Sequence, residues 1–342
     1  MSLILIITVI ALTIVHSMSN IIEETLKTKS PILCHRKHRN TFNSFIADRW
    51  NAARISFGLP HSTNFTTTHH YISFVRFQSG IVIFTAPDNK TDIPYARIYK
   101  CANEAIVQNL FFGKRFNHYP PTWITIRNYD EFNKYKNSYS IERPNRVLKQ
   151  KFTFVRDPAV RFESAFAEAI WQTNEKIQRQ NLGTPINVTS VDDIKSLFVQ
   201  FLELNNPFSP RASAHLSTMS NVFFEYDDVD IVGNLESFLT DWQSKIITSY
   251  NLDLYDHQFN HNFGKHNSAI NHPGMDRVHQ VRKNSARYYY QQLLETEYVT
   301  GICHLIMIDY VCLPKYALPA KCQHLNPILN AGRKLLELDQ SN

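Results

Sequence analysis

KFTFVRDPAVRFESAFAEAIW, residues 151–171, places a β-rich run, an Arg-Asp-Pro turn and a helical apolar stripe next to one another. The run KFTFVR has the composition of a short buried strand, and apolar residues recur at helical spacing from Val160 to Trp171. Asp157 suits a helix N-cap and Pro158 suits the first helical position. The segment therefore predicts a strand, a tight turn and a helix that begins at the carboxyl end of that strand.

Strands and helices alternate along the rest of the chain after residue 70. The pattern predicts a hairpin from 71–77 and 80–87, a short strand at 95–101 with a helix after it, a loop-rich stretch at 117–146, a VDIVG strand, and helices at 191–204, 234–250 and 285–313. This alternation predicts an α/β fold with a mainly parallel sheet and helices on both faces.

Length and composition indicate an ordinary globular protein. The chain has 342 residues, 43% of them hydrophobic and 19% charged, which is enough to bury a large core and argues against extensive disorder. We find no internal repeat and no low-complexity tract. The formal net charge of +6 mildly favours anionic ligands.

The N-terminus carries an apolar run from Leu3 to Val15, shorter than the ~20 residues that a spanning helix needs. Residues 1–19 are therefore predicted to be a signal peptide or an uncleaved signal anchor, and either one places the rest of the chain in a lumen. Three Asn-x-Ser/Thr triplets, at Asn64, Asn89 and Asn187, are predicted glycosylation sites.

Five cysteines fit an oxidising lumen but do not fix their own pairing. The cysteines are Cys34, Cys101, Cys303, Cys312 and Cys322. The last three could pair with one another or with Cys34, which leaves an odd thiol. A zinc site is the competing interpretation. The chain lacks a Cys-x-x-Cys pair and CHLIMIDYVC has the wrong spacing for a finger, so no metal site is predicted.

The opening segment also predicts an anion site. In a parallel sheet, ligands bind beyond the carboxyl ends of the strands, and Arg156 stands at such an end. Arg161 and Ser164 follow within the first turns of the helix, so Arg156 and Ser164 could both face an anion at the helix start. The alternative is a solvated Arg, a structural cap and a solvated Ser.

FTFVRDPAVRFESAF resembles the 3′-phosphate-binding segment of the Golgi carbohydrate sulfotransferases, whose pattern is R-D-P-x-x-R-x-x-S. The likeness is to the branch of the chondroitin 4-sulfotransferases, with this chain as a divergent member of the nematode type. The resemblance implies a single sulfotransferase domain with a P-loop-NTPase-like sheet flanked by helices. It also implies that the chain binds 3′-phosphoadenosine 5′-phosphosulfate (PAPS), with Arg156 and Ser164 on the 3′-phosphate.

The stretch ARIYKCANEAI is similar to the upstream loop that cradles the 5′-phosphosulfate in this family. Lys100 occupies the lysine position, where its charge would offset charge on the leaving phosphate, and Cys101, Ala102 and Asn103 would supply loop amides. Glu104 stands where the family has a hydroxyl residue, and a carboxylate there would compete with the donor for those amides. A lysine at a strand end can also be merely solvated.

Weaker similarities lie further along the chain. YDDVDIVGNLESFLTDW resembles a family block through Asp230, Gly233, Leu235, Glu236 and Asp241, although an ordinary amphipathic helix explains it equally well, and LIMIDYVCLPKYALP resembles the closing helix. His215 is the candidate general base because imidazole titrates near neutral pH. Other loop histidines are equal rivals, namely His257, His261 and His266.

The resemblance implies a PAPS-dependent carbohydrate O-sulfotransferase that acts on a glycan or proteoglycan, by closest likeness a chondroitin-like glycosaminoglycan at the 4-hydroxyl. It further implies the Golgi lumen or membrane, or secretion, with no nucleic-acid partner, no metal, and membrane contact only through an uncleaved N-terminal segment. The predicted organisation is a signal at 1–19, a lumenal stem at 20–69, the sulfotransferase domain at 70–325 and a tail at 326–342. Two alternatives remain, a catalytically impaired lumenal protein that binds nucleotide or sulfated glycan, and an unrelated nucleotide kinase or phosphate-binding protein.

Overall fold

The structure is a computed structural model, and it describes residues 32–62, 81–85, 90–98, 100–101, 106, 124–126, 129–180, 186–203, 216, 218–225, 229–250 and 273–338. The predicted strand at 71–77 lies outside the described residues. So does the predicted helix that follows residue 102, apart from Ile106, which is helical.

The described strands form one sheet. They are β1 (Ile81–Thr85), β2 (Thr91–Ala96), β3 (Ile124–Ile126), β4 (Val147–Leu148), β5 (Phe152–Val155) and β6 (Ile231–Asn234), in the order β3-β1-β2-β5-β6 with β4 also beside β2. Strands β2, β4, β5 and β6 pair in parallel, whereas β1 is antiparallel to both β2 and β3. The sheet is therefore mixed rather than mainly parallel, because the short connection from β1 to β2 allows only antiparallel pairing.

Helices cover the sheet. They are α1 (Arg39–Ser56), α2 (Tyr129–Glu142), α3 (Pro158–Gln180), α4 (Val191–Leu202), α5 (Ser220–Glu225), α6 (Phe238–Asp241), a π-helical stretch (Trp242–Ile247), α7 (Thr248–Tyr250), α8 (Pro273–Leu293), α9 (Val299–Cys312) and α10 (Asn326–Leu338). The strand–turn–helix of the opening segment and the helix over 191–204 are confirmed.

The loop-rich prediction for 117–146 is wrong, because β3 and α2 lie within that stretch. Helix α2 has a mostly polar sequence, and its buried anchors are Phe132 and Tyr139, which are two helical turns apart. Two anchors in fourteen residues give too weak an apolar period for sequence analysis to detect.

Two apolar layers sandwich the sheet, and the alternation of side chains along each strand separates them. Val82, Phe84, Tyr95, Phe152 and Phe154 pack in one layer with Trp242 and its neighbours, whereas Ile81, Ile83 and Val155 pack in the other with the large helices. Gly233 in β6 is required by this packing, since a Cβ atom there would lie 2.3 Å from the ring of Phe154. The fold is an α/β sandwich, as expected from the alternating pattern.

Helix α9 is the buried axis of the larger layer and packs against α1, α3 and α10. Disulfides tie it to two other segments through Cys34–Cys312 and Cys303–Cys322, which leaves Cys101 as the buried free thiol. The structure thus resolves the pairing that sequence analysis left open. The predicted division into stem, domain and tail stays a prediction, but residues 32–62 and α10 share the core with the central sheet.

Candidate functional site

The predicted site residues fall into two groups. Ala102, Asn103, Glu104 and the candidate base His215 lie outside the described residues, as do its three rivals and the sequons at Asn64 and Asn89. Lys100, Cys101, Arg156, Ser164 and Asn187 are described. Asn187 is exposed in the loop before α4, so glycosylation at Asn187 is sterically feasible and stays a prediction.

Strands β2 and β5 run parallel, and Tyr95 near the end of β2 pairs with Phe152 at the start of β5, so the chain that follows β2 continues along the side of β5. Lys100 follows β2 and Arg156 follows β5. The Arg156 guanidinium donates from Nη1 to the backbone carbonyl of Lys100 at 3.4 Å, a long hydrogen bond. The two predicted cation positions therefore meet at one edge of the sheet, which we call the carboxyl edge (Ile98, Lys100, Cys101 and Arg156–Asp157).

The backbone of Lys100 is unusual, with a φ of 65° in the left-handed region that non-glycine residues rarely adopt. A turn holds it there, since the amide of Cys101 donates to the carbonyl of Ile98 at 3.3 Å and Arg156 binds the Lys100 carbonyl. Such strain persists only where surrounding structure over-determines it, and it concentrates at functional sites. The Cys101 amide is committed to this turn, contrary to the expectation that it would point at a phosphate.

The start of α3 is capped as the sequence predicts. The Asp157 carboxylate accepts hydrogen bonds from the amides of Ala159 and Val160, each at 3.0 Å, and from the hydroxyl of Tyr310. The amide of Asp157 itself donates to Glu236 at 2.8 Å. These bonds occupy amides at the helix start, so an anion here would be held mainly by side chains.

Two motif residues on α3 have different surroundings. Ser164 is half-buried, whereas Arg161 is only 1% exposed. Burial raises the pKa of Asp309 on α9, and the positive charge of Arg161 opposes that rise. Arg161 is therefore a buried charge that interacts electrostatically with Asp309, not a second surface cation beside Arg156.

A third cation, Lys283, lies near the carboxyl edge because it contacts the same carboxylate as Lys100, that of Glu168. Glu168 on α3 is 8% exposed, and its Oε2 atom lies 3.1 Å from Lys100 Nζ and 2.5 Å from Lys283 Nζ, the latter on α8. Burial alone would raise the pKa of Glu168, but the two ammonium groups and their hydrogen bonds outweigh it and lower that pKa to about 2. The carboxylate is ionised throughout the physiological range.

Sequence analysis missed Glu168 and Lys283. The available signal was weak, namely the acid Glu168 between apolar residues in AFAEAIW, which indicates a buried ion pair but not its partner. The partner lies on a helix far along the chain, and only tertiary packing of α8 against α3 brings it close.

Cys101 lies at the same edge, but its thiol is inert. Burial raises its pKa to about 12, even though the nearby charges of Arg161 and Arg156 act in the opposite direction. Its Sγ atom contacts the sulfur of Met219 at 3.7 Å. A thiol that stays protonated at neutral pH is a packing group and not a nucleophile.

The weaker sequence block has clear contacts at this edge. Glu236 accepts from the Asp157 amide and from the hydroxyl of Tyr316 at 2.8 Å, and Lys315 lies 4.0 Å from the same carboxylate. Asp241 accepts from the amide of Asn234 at 2.6 Å. The block therefore joins the end of β6 to the start of α3 and to the chain after α9.

Across the described residues, no helix combines the length and apolarity that a membrane span requires. The same residues contain no group of three or more His, Cys, Asp or Glu side chains placed to hold a metal ion.

Comparison with known proteins places these residues in context. A family model described as the Sulfotransferase family matches residues 83–314, about two thirds of the chain, and that range includes Lys100, Arg156, Glu168 and Lys283. No curated protein matches the chain. No solved structure matches it either.

Proposed function

The chain belongs to the sulfotransferase family, and we propose that it is a carbohydrate O-sulfotransferase that moves a sulfuryl group from PAPS to a glycan hydroxyl. The observation that carries this proposal is the convergence of Lys100 and Arg156 at the carboxyl edge, where Arg156 binds the Lys100 carbonyl at 3.4 Å. Residues from two distant motifs meet there, at the edge of the sheet where α/β proteins bind their ligands.

The donor chemistry suits the groups present. PAPS carries anions at both ends of its adenosine, a 3′-phosphate and a 5′-phosphosulfate. Arg156 offers a planar fork for the 3′-phosphate, with Ser164 as a neutral donor on the next turns of α3. Lys100 offers a compact charge for the phosphosulfate, and Lys283 lies beside it on the shared carboxylate.

Sulfuryl transfer requires that the acceptor hydroxyl lie in line with the bond that breaks. The acceptor oxygen forms a bond to sulfur while the bond from sulfur to the phosphate oxygen breaks, and 3′-phosphoadenosine 5′-phosphate (PAP) leaves. The role proposed for Lys100 is to stabilise the charge that grows on that phosphate. The acceptor proton passes to a base, for which His215 remains the proposal.

The proposed acceptor is a glycan or proteoglycan, by resemblance a chondroitin-like chain modified at the 4-hydroxyl. The proposed setting is the Golgi lumen or a secreted protein, and membrane contact is assigned to the N-terminal segment alone. Support for an oxidising compartment comes from the disulfides Cys34–Cys312 and Cys303–Cys322, since such bonds are rare in the cytosol.

Labelled-sulfate transfer from PAPS to desulfated chondroitin tests the proposal. We expect incorporation with the unmutated chain and none with Arg156→Ala, and we expect PAP to stabilise the unmutated chain by about 2.7 kcal/mol at 100 times its Kd. PAP binding without transfer to any desulfated glycan would support the alternative of a catalytically impaired binding protein. A folded chain that binds Mg²⁺-ATP and not PAP would reject the donor assignment in favour of a kinase-like protein.

A further inference from the structure

Glu168 lies outside every motif that the sequence presents, yet it joins three elements at the carboxyl edge. Its Oε2 atom contacts Lys100 from the turn after β2 and Lys283 from α8, at 3.1 Å and 2.5 Å. Because both ammonium nitrogens touch one oxygen atom, they lie within about 6 Å of each other. Two like charges at this distance repel, so a carboxylate between them is what keeps them together.

The backbone of Lys100 is fixed independently of its side chain. The left-handed turn and the bond from Arg156 set the position of the Lys100 carbonyl. A lysine side chain is long and flexible, and a fixed backbone does not by itself determine where the ammonium group lies. Glu168 supplies the missing restraint at the tip of the side chain.

Both lysine side chains keep access to solvent, with exposed fractions of 22% for Lys100 and 20% for Lys283, whereas the Glu168 side chain is 11% exposed and the whole residue 8%. Solvent, and therefore a dissolved anion, can reach both ammonium side chains even though each one contacts the carboxylate.

We propose that Glu168 is a positioning residue that holds Lys100 and Lys283 as a pair of ammonium groups, and that the pair binds the phosphosulfate end of the donor. The assignment rests on the proposed function and deepens it, since it adds Lys283 to the donor site and gives Glu168 a role through Lys100. Glu168 contacts the lysines and not the donor.

A double-mutant cycle tests the role of Glu168. The variants are Lys100→Met, Glu168→Gln and the double variant, assayed for sulfuryl transfer from PAPS and for PAP affinity by calorimetry. Glu168→Gln should lower kcat about tenfold or more, because a misplaced charge loses its effect on the leaving phosphate. The Kd of Glu168→Gln for PAP should stay within about threefold of the unmutated value. Removal of a negative charge near the bound anion favours binding, and this gain offsets the loss that comes from less ordered lysine side chains.

In the Lys100→Met background, Glu168→Gln should lower kcat by less than about twofold, because residues that act through one another are not additive. A purely structural role predicts the same factor in both backgrounds, and that result would overturn the proposal. If Glu168→Gln does not fold, Glu168→Asp keeps the charge on a shorter side chain, and its partial rescue of kcat serves as the same test.

Lys283→Met tests the second lysine. It should weaken PAP binding about tenfold, because the variant loses one charge-assisted hydrogen bond to the donor. The matched control is Lys321→Met, which breaks an exposed ion pair with Glu295 and should leave PAP affinity unchanged. If the unmutated chain binds PAP and transfers sulfate, and Lys283→Met binds PAP equally tightly, the assignment of Lys283 to the donor site is rejected and the proposed function is not. Failure of the unmutated chain to bind PAP or transfer sulfate rejects the proposed function, and the assignment with it.

Discussion

Two buried carboxylates lie near opposite ends of the parallel half of the sheet, and each bridges two cations. Asp92, at the start of β2, is fully buried and bonds Thr85, Tyr139, Arg143 and Arg146. Glu168, near the carboxyl edge, binds only the two lysines in the contacts described above. The first cluster places guanidinium and hydroxyl donors around a single carboxylate, and the second places two ammonium groups there. The cations are similarly exposed in the two clusters, at 21–24% and 20–22%.

The difference separates an architectural cluster from the proposed donor site. Around Asp92 the donors surround both carboxylate oxygens, and burial together with the hydrogen bond to Asp92 raises the pKa of Tyr139, so that hydroxyl remains a donor. Around Glu168, both lysines contact one oxygen atom, and they lie at the carboxyl edge of the sheet. Ion clusters of similar charge thus support either packing or binding, and their position relative to the strand ends decides which.

Removal of Asp92 should have the largest effect on stability and little effect on binding. Asp92→Ala leaves two partly buried guanidinium groups without their carboxylate, which should cost about 3 kcal/mol of unfolding free energy. Urea unfolding measures this loss, with Asp48→Ala, at an exposed position on α1, as the control. The PAP affinity should stay within about twofold, and a large loss of that affinity would remove the distinction between the two clusters.

Removal of Arg156 should have a large effect on PAP binding and little effect on stability. Arg156→Ala should weaken PAP binding about 100-fold, because charge-assisted bonds to phosphate are worth about 1.5–3 kcal/mol each. Arg156→Lys keeps the charge but loses the planar fork, so we expect an intermediate Kd. Calorimetry gives the affinities and thermal melting checks the fold. Wild-type affinity in Arg156→Ala would show that the 3′-phosphate site lies elsewhere.

Acid should weaken the Glu168 cluster in a defined pH window. The folded pKa of Glu168, about 2, lies below its ordinary 4.5, so its contribution is present above pH 4.5 and is lost as the pH falls toward 2. After a discount for solvent at the lysine ends, the contribution is about 2 kcal/mol. The difference in unfolding free energy between the unmutated chain and Glu168→Gln should be constant from pH 7 to 5 and shrink below 4.5; a constant difference down to pH 3 would contradict this.

The smallest expected effect concerns Glu104, which the sequence alone identifies. Glu104→Ser removes a carboxylate that competes with the donor at the predicted loop, and it should tighten PAP binding about two- to fivefold, matching 0.3–1 kcal/mol for a charge at a helix start. Glu142→Ser, at an exposed position at the end of α2, is the matched control. Weaker PAP binding in Glu104→Ser would show that the proposed geometry of this loop is incorrect.

Sequence analysis predicted the parts of this site that depend on neighbours along the chain. The strand, cap and helix of 151–171 follow from apolar period and from Asp157-Pro158, and the structure shows both the strand and the capping bonds. Lys100 and Arg156 were identified from motif resemblance, and their meeting at one edge agrees with the rule for parallel strands.

Other features could not be predicted because they depend on contacts between distant segments. No local period in the sequence signals these features. They are the antiparallel pairing of β1, the helix α2 with its two anchors, and the interaction of buried Arg161 with Asp309. The two disulfides were open alternatives for the same reason.

By itself, the sequence determined the strand, cap and helix of 151–171 and identified Lys100 and Arg156, because these follow from residue types close to one another along the chain. Only the tertiary structure decided that Glu168 lies between Lys100 and Lys283, because three separate elements must pack before their charges meet. The two ammonium groups then keep that carboxylate ionised against the effect of burial, and their proximity is a property of the folded chain rather than of any segment.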